Sequence, residues 1–343
     1  MNLNKLLREN IKNLHPYSSA RDEFTGEAMV FLDANENPFN EPYNRYPDPL
    51  QKELKEKVAE LKNVSAENIF LGNGSDEPID LLIRAFCEPG TDNIVTINPT
   101  YGMYQVAADI CGVELRKVSL TEDFKLDSTE LLNATDKNTK LIFLCSPNNP
   151  TGNSLERSAI LKIVKTFNGI VILDEAYTDF APGKSLLSER ANYPNLVILQ
   201  TFSKAWGMAG IRLGMAFAST EIIGVLNKIK YPYNLNILTQ QKALELLDNK
   251  DTVKKWVKLL IDEREKITGQ LNDFPFVIKI YPSDANFLLV KMHDAKGIYN
   301  YLVEKGIIIR DRSTVHLCND SLRITIGTPE ENEKLLETLN ELI

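Results

Sequence analysis

An α/β fold built on a mostly parallel sheet, followed by a smaller α+β C-terminal domain, is what this sequence predicts, and two textures of the chain predict it. Over the first two thirds, short β-rich runs alternate with helical lengths, and several runs are continuously apolar, as strands covered on both faces must be. From about residue 240 the chain changes to long helical stretches followed by short strands. The expected layout is an N-terminal arm over 1–28, a large domain over 29–240 and a small domain over 241–343.

The elements follow in order. After Tyr46-Pro47-Asp48-Pro49, the residues Leu50, Leu54, Val58 and Leu61 recur at helical spacing with charges between them, which predicts an amphipathic helix. Strands are expected at 94–97, 141–145, 170–173, 196–199 and 213–217. In the last third, a helix over 252–271 precedes expected strands at 285–290, 306–309 and 322–326. No internal repeat, low-complexity tract or long charge block interrupts the pattern.

With 343 residues the chain can build more than one hydrophobic core. Its 47 acidic against 39 basic residues leave a net charge of -8, which repels nucleic acid and anionic membrane surfaces, so neither partner is expected. No apolar core of a signal peptide opens the sequence, and no stretch reaches the roughly 18 apolar residues of a membrane span, so a soluble, unprocessed cytoplasmic protein is expected. Cys87, Cys111, Cys145 and Cys318 lie far apart without CxxC spacing, which points to reduced core thiols and no metal site.

Three polar clusters sit where strands should end, the place where open parallel sheets bind ligands. The first is Leu71-Gly72-Asn73-Gly74-Ser75-Asp76-Glu77-Pro78, a glycine turn feeding a helix through 79–86. Gly74 permits close backbone approach and the helix start can hold an anion, while Ser75 with Pro78 equally reads as a plain helix cap. It is neither a GxGxxG nor a GxxxxGK[ST] motif.

The second cluster is Ser146-Pro147-Asn148-Asn149-Pro150-Thr151-Gly152 together with Asp174-Glu175-Ala176-Tyr177, each directly after an apolar strand. An acid at the end of such a strand loses hydration, so Asp174 needs a cationic or donor partner, which a protonated pyridine nitrogen would be; a helix N-cap is the structural alternative. The third is Thr201-Phe202-Ser203-Lys204-Ala205-Trp206-Gly207-Met208-Ala209-Gly210-Ile211-Arg212. Lysines are usually superficial, but Lys204 lies in a run of small and apolar residues, where burial would lower its pKa and free the amine to attack a carbonyl. Thr201, Ser203 and Arg212 supply donors suited to a phosphate.

In this order the clusters resemble the fold-type I, aspartate-aminotransferase-like enzymes that depend on pyridoxal 5'-phosphate (PLP). The resemblance implies that Lys204 carries the cofactor as a Schiff base, that Asp174 pairs with the ring nitrogen, that Asn149 and Tyr177 bond the ring oxygen, and that Tyr101 stacks on the ring. The cofactor phosphate would be held by the Gly74 and Ser75 backbone with Thr201, Ser203 and Arg212, and by Tyr46 from a partner subunit. Over essentially the whole chain the likeness narrows to the histidinol-phosphate aminotransferases, carried by Asn13-Leu14-His15-Pro16-Tyr17, Leu32-Asp33-Ala34-Asn35-Glu36-Asn37-Pro38, Asn44-Arg45-Tyr46-Pro47-Asp48, Gly306-Ile307-Ile308-Ile309-Arg310-Asp311 and Leu322-Arg323-Ile324-Thr325-Ile326-Gly327.

That likeness implies amino transfer from histidinol phosphate to 2-oxoglutarate, giving glutamate, in a homodimer with shared sites, with Tyr17, Asn35, Tyr46, Arg310 and Arg323 at the substrate. Glu36 equally reads as a surface turn acid. An aromatic amino-acid aminotransferase or a PLP decarboxylase of a phosphorylated amino acid would share every cofactor residue. A regulatory PLP sensor usually carries a basic DNA-binding segment, for which this chain has neither length nor charge.

Overall fold

The computed structural model describes residues 3–17 and 29–343, so part of the expected 1–28 arm lies outside the described residues. Its larger sheet has seven strands: β1 (Ile69–Asn73), β2 (Asn93–Asn98), β3 (Glu114–Ser119), β4 (Thr139–Cys145), β5 (Ile170–Asp174), β6 (Leu196–Thr201) and β7 (Leu213–Phe217). Their spatial order is β1-β7-β6-β5-β4-β2-β3. All neighbours run parallel except β7, which is antiparallel to both β6 and β1.

The continuously apolar strands are covered on both faces, and the strand period of two divides each between two cores. In β5, Val171 and Leu173 pack into one cluster with Leu54 and Val58 of helix Lys52–Lys62 and Ile160 and Ile163 of helix Arg157–Thr166. Ile170 and Ile172 pack into the other, with Ile79 and Phe86 of helix Asp76–Phe86 and Ile222 and Leu226 of helix Thr220–Ile229. Parallel register sets Cys145 beside Asp174 and Asp174 beside Leu199, which brings the ends of β4, β5 and β6 to one edge. Two antiparallel steps through β7 return β1 to the same direction, so Gly74 emerges at that edge too.

The second sheet is antiparallel, ordered β10-β11-β9-β8, from β8 (Val277–Ile280), β9 (Phe287–Met292), β10 (Arg310–Asp311) and β11 (Ser321–Thr325). Val290, Leu322 and Ile324 pack with Ile267 and Leu271 at the end of helix Lys250–Leu271 and with Leu335 and Leu339 of helix Pro329–Asn340. No helix among the described residues is long and apolar enough to cross a membrane.

Several expectations need correction. Strand β1 carries too short an apolar run before its glycine turn to stand out, and β3 is an edge strand whose Glu114, Arg116 and Lys117 break the apolar signal, as edge strands commonly do. The strand expected at 306–309 is unpaired chain, with pairing only at Arg310–Asp311, because Ile308 has no sheet face to cover and stays exposed. The strand expected at 285–290 is β9, shifted two residues toward the C-terminus. Leu50 precedes its expected helix and is exposed, since Gln51 adopts φ +50, outside the helical region. Of the four cysteines, Cys111 is only half-buried.

Candidate active site

At the common strand edge a cavity of about 600 Å³ is lined by residues of all three predicted clusters: Gly74, Ser75 and Tyr101, then Asn149, Asp174 and Tyr177, then Thr201, Ser203, Lys204 and Arg212. A larger cavity of about 750 Å³, between helices Lys52–Lys62 and Lys250–Leu271, is walled by groups such as Leu61, Trp206 and Val253 under surface lysines. Two of its lysines are paired with acids of the same wall, Lys57 with Asp248 and Lys62 with Asp179, and neither Asp174 nor Lys204 reaches it, so the chemistry belongs to the smaller one.

One corner of that cavity is a cluster of donors. Thr201 Oγ1 donates to Ser203 Oγ at 3.0 Å and accepts from the Ser203 N–H at 3.1 Å. Arg212 lies across the glycine turn, with Nη2 3.7 Å from Asp76 Oδ2. Gly74 has φ +69, and a Cβ there would stand 2.7 Å from Arg212 Nη2, so the absent side chain is what admits the guanidinium. A side chain on Gly214 would collide with the backbone of Gly74 and Ser75. The expectation that the Gly74 N–H serves an anion is corrected, because it donates to the Arg212 carbonyl at 3.0 Å. Ser75 makes no side-chain capping bond, so the plain cap reading is not realised either.

Opposite the donors stands Asp174, the last residue of β5 and only 2% exposed. The Tyr104 hydroxyl donates to its Oδ2 at 2.8 Å and the Ala176 N–H to its Oδ1 at 3.1 Å. Burial pushes its pKa up to about 6 against these two hydrogen bonds, and no salt bridge reaches it among the described residues. A 3₁₀ turn at Thr178–Phe180 follows, so Asp174 is not the cap of an α-helix.

Lys204 is exposed to the cavity, which corrects its expected burial; its Nζ lies 5.5 Å from the Tyr177 ring centre. The surrounding wall still strips water from the ammonium and lowers its pKa, and the charge of Arg323 adds to this. Tyr177 is buried with its ring edge-on to Phe287 at 5.2 Å, and burial raises its hydroxyl well above the ordinary range. The Tyr101 hydroxyl donates to Asp76 Oδ1 at 3.1 Å, and Asn149 Oδ1 accepts from Arg323 Nη1 at 2.5 Å.

The far side is cationic. Arg310, Arg312 and Arg323 all line it, and among the described residues none is paired with a carboxylate. Arg323 lies over the Phe287 ring at 5.3 Å. Sequence reading missed Arg312 and also missed Tyr104 as the donor to Asp174; the two-residue spacing of Arg310 and Arg312 in a strand was the available signal for the first.

Three predicted substrate residues do not line the cavity. Tyr17 is 71% exposed, Asn35 is exposed with φ +54, and Tyr46 is 50% exposed and stacked on Tyr233 at 4.4 Å. Glu36 is no surface acid: its side chain is 3% exposed and accepts from Arg45 Nη1 at 2.8 Å and the Tyr46 N–H at 2.6 Å, bracing that segment.

Comparison with known proteins agrees with this geometry. The family model "Aminotransferase class I and II" matches residues 30–339. A histidinol-phosphate aminotransferase of Parabacteroides distasonis is 62% identical over 340 residues, covering 99% of each chain. The crystal structure of the histidinol-phosphate aminotransferase from Clostridium acetobutylicum superimposes with a TM-score of 0.81 at 25% identity, over 88% of this chain and 91% of that one. That of the Sinorhizobium meliloti enzyme in complex with pyridoxal-5'-phosphate gives 0.78 at 25% identity, over 87% and 84%. By its sequence over nearly its full length, this chain belongs to the class I and II aminotransferase family.

Proposed function

We propose that the chain transfers the amino group of histidinol phosphate to 2-oxoglutarate with PLP as cofactor, as a cytoplasmic homodimer in histidine biosynthesis. The observation that carries this reading is one cavity with two separate anion-binding ends, a donor corner beside Arg212 and a cationic side made by Arg310, Arg312 and Arg323, with Lys204 and Asp174 between them. A phosphorylated cofactor and a phosphorylated substrate need two such ends. The name shared by relatives at 54–62% identity supports the choice of substrate.

PLP fits these residues. The carboxylate of Asp174 is buried with no salt bridge among the described residues, and a protonated pyridine nitrogen would provide one. Ser75, Thr201, Ser203 and Arg212 would hold the phosphate, Asn149 and Tyr177 the ring oxygen, and Tyr101 the ring face. When bound, PLP supplies the electron sink for cleaving the C–H bond at the amino carbon.

Lys204 Nζ would attach the cofactor covalently, and its free amine would be the base placed to move the proton of the reacting carbon. Its lowered pKa keeps more of the amine neutral for both tasks. The forks of Arg310 and Arg323 would grip the substrate phosphate and, in the second half of the cycle, the carboxylates of 2-oxoglutarate. Tyr46 would reach the partner's cofactor phosphate: it stands outside its own cavity, braced by Glu36 and Tyr233.

The substrate is tested by mixing protein and PLP with histidinol phosphate, histidine, phenylalanine and phosphothreonine and following glutamate formation. Histidinol phosphate should be the best donor; preference for phenylalanine, or release of carbon dioxide from phosphothreonine, would contradict the reading.

Asp174 gives a pH-dependent test. Its displacement from the 3.8 of an open carboxyl to about 6 costs the charged form about 3 kcal/mol. Between about pH 4 and 6 the folded chain keeps a proton that the unfolded chain has lost, so this contribution to stability falls as pH rises through that window. In the cofactor-free protein, Asp174→Asn should therefore unfold at a higher temperature than wild type at pH 7.5, with the advantage shrinking toward pH 4. With PLP the variant should lose at least about 100-fold in turnover. A pH-independent difference in unfolding, or near-normal turnover, argues against the role.

The shared site is tested by mixing a Tyr46→Phe chain with a Lys204→Ala chain. Heterodimers would hold one site with both defects and one with neither, so activity should exceed the sum of the parents; verified heterodimers without that gain would refute it.

A further inference from the structure

We propose that Arg312 is a specificity-determining residue: with Arg310 and Arg323 it forms a three-guanidinium subsite that selects a doubly charged phosphate monoester over a carboxylate. The proposal rests on the aminotransferase reading of this cavity and assigns its amino-donor end.

Strand geometry gathers the three groups. Arg310 faces Arg323 directly across the antiparallel pair of β10 and β11, and the Arg312 N–H donates to the Ser321 carbonyl at 2.9 Å, so the pairing extends one residue beyond β10. Residues two apart in extended chain share a face, which puts Arg312 on the side of Arg310 and Arg323. All three line the cavity.

Like charges directly opposed across a sheet are destabilising, and among the described residues no acid relieves them. Asp311, between two of them, points to the other face by the same alternation; its carboxylate accepts from the Ser313 N–H at 2.8 Å and lies 3.4 Å from Lys296 Nζ. The two carboxylates of the cavity wall are engaged as well, Asp76 by Tyr101 and Arg212, and Asp174 by Tyr104 and Ala176. Meanwhile the Nε atoms of both Arg312 and Arg323 are buried with no hydrogen-bond partner among the described residues. Burial and the neighbouring charges of Arg323 and Arg310 lower the pKa of Arg312 to about 10, a cost that an incoming anion would remove.

Charge matching then assigns the anion. Glutamate and 2-oxoglutarate bring two separate single charges, for which two forks suffice. A phosphate monoester concentrates up to two charges on three oxygens, and a third fork is matched only by that group.

The test uses the PLP-loaded enzyme, in which the cofactor occupies the other phosphate corner. In Arg312→Gln, half-saturation by histidinol phosphate should rise about 10- to 100-fold, as expected for losing a charged hydrogen-bonding partner. The glutamate half-reaction should keep its KM within about threefold, and kcat should change little in either direction. Titration calorimetry with inorganic phosphate should show the same weakening, and Arg312→Lys should recover part of it, since an ammonium restores the charge but not the fork. Equal losses for glutamate and histidinol phosphate, or unchanged phosphate affinity in a variant that unfolds at the wild-type temperature, would overturn the assignment. Should Arg312→Gln not fold, the Arg312→Lys contrast between the two donors decides. If wild type does not accept histidinol phosphate, the proposed function fails, while the phosphate titration still judges Arg312 on its own.

Discussion

Asp174 closes a strand whose two faces are covered by helices, so its carboxyl meets almost no water and its pKa is pushed up to about 6. Two hydrogen bonds and the more distant charge of Lys204 soften that burial, but among the described residues no salt bridge neutralises it. The rest of the site is arranged around this one buried charge. Tyr104, fully buried and stacked on Phe143 at 4.9 Å, is spent on orienting it. Parallel pairing carries the ends of β4 and β6 to the same level, with Asn149 on one side and Thr201, Ser203 and Lys204 on the other. A sheet covered on both faces is thus both the source of the unfavourable charge and the frame that delivers its chemical partners.

The second constraint is close backbone approach at the far edge of that frame. Gly214 has no side chain where β7 meets the Gly74–Ser75 backbone, which lets that turn approach, and the space Gly74 leaves admits Arg212 beside Asp76. The donor corner is therefore built from glycine as much as from the hydroxyls of Thr201 and Ser203. At the opposite end the smaller antiparallel sheet contributes only guanidinium groups. The cavity is left with one buried carboxylate in its centre, a cluster of donors at one end and, at the other, guanidinium groups with no carboxylate partner among the described residues, an arrangement suited to two anions and a protonated ring between them.

Much of this was legible in the sequence because the informative residues lie in short polar clusters after apolar strands. Position at a strand end fixes where Asn149, Asp174 and Lys204 must converge without any knowledge of side-chain packing. What the sequence did not reveal depends on pairing and space. The Gly74 N–H was expected to serve an anion, but the β7 partner strand takes it through the Arg212 carbonyl. Lys204 was expected to be buried by its apolar neighbours, yet Phe202 and Trp206 take the core and leave the lysine to the cavity. Arg312 belongs to no motif, and its spacing from Arg310 gains meaning once β10 and β11 are aligned, while Tyr17, Asn35 and Tyr46 stand outside the cavity of their own chain.

The central claim is that Lys204 holds the cofactor, and covalent mapping tests it most directly. Protein incubated with PLP, reduced with borohydride and digested should carry the pyridoxyl group on the peptide containing Ser203-Lys204-Ala205, with no labelled peptide from Lys204→Ala. Labelling of a different lysine, together with full turnover in Lys204→Ala, would contradict the account.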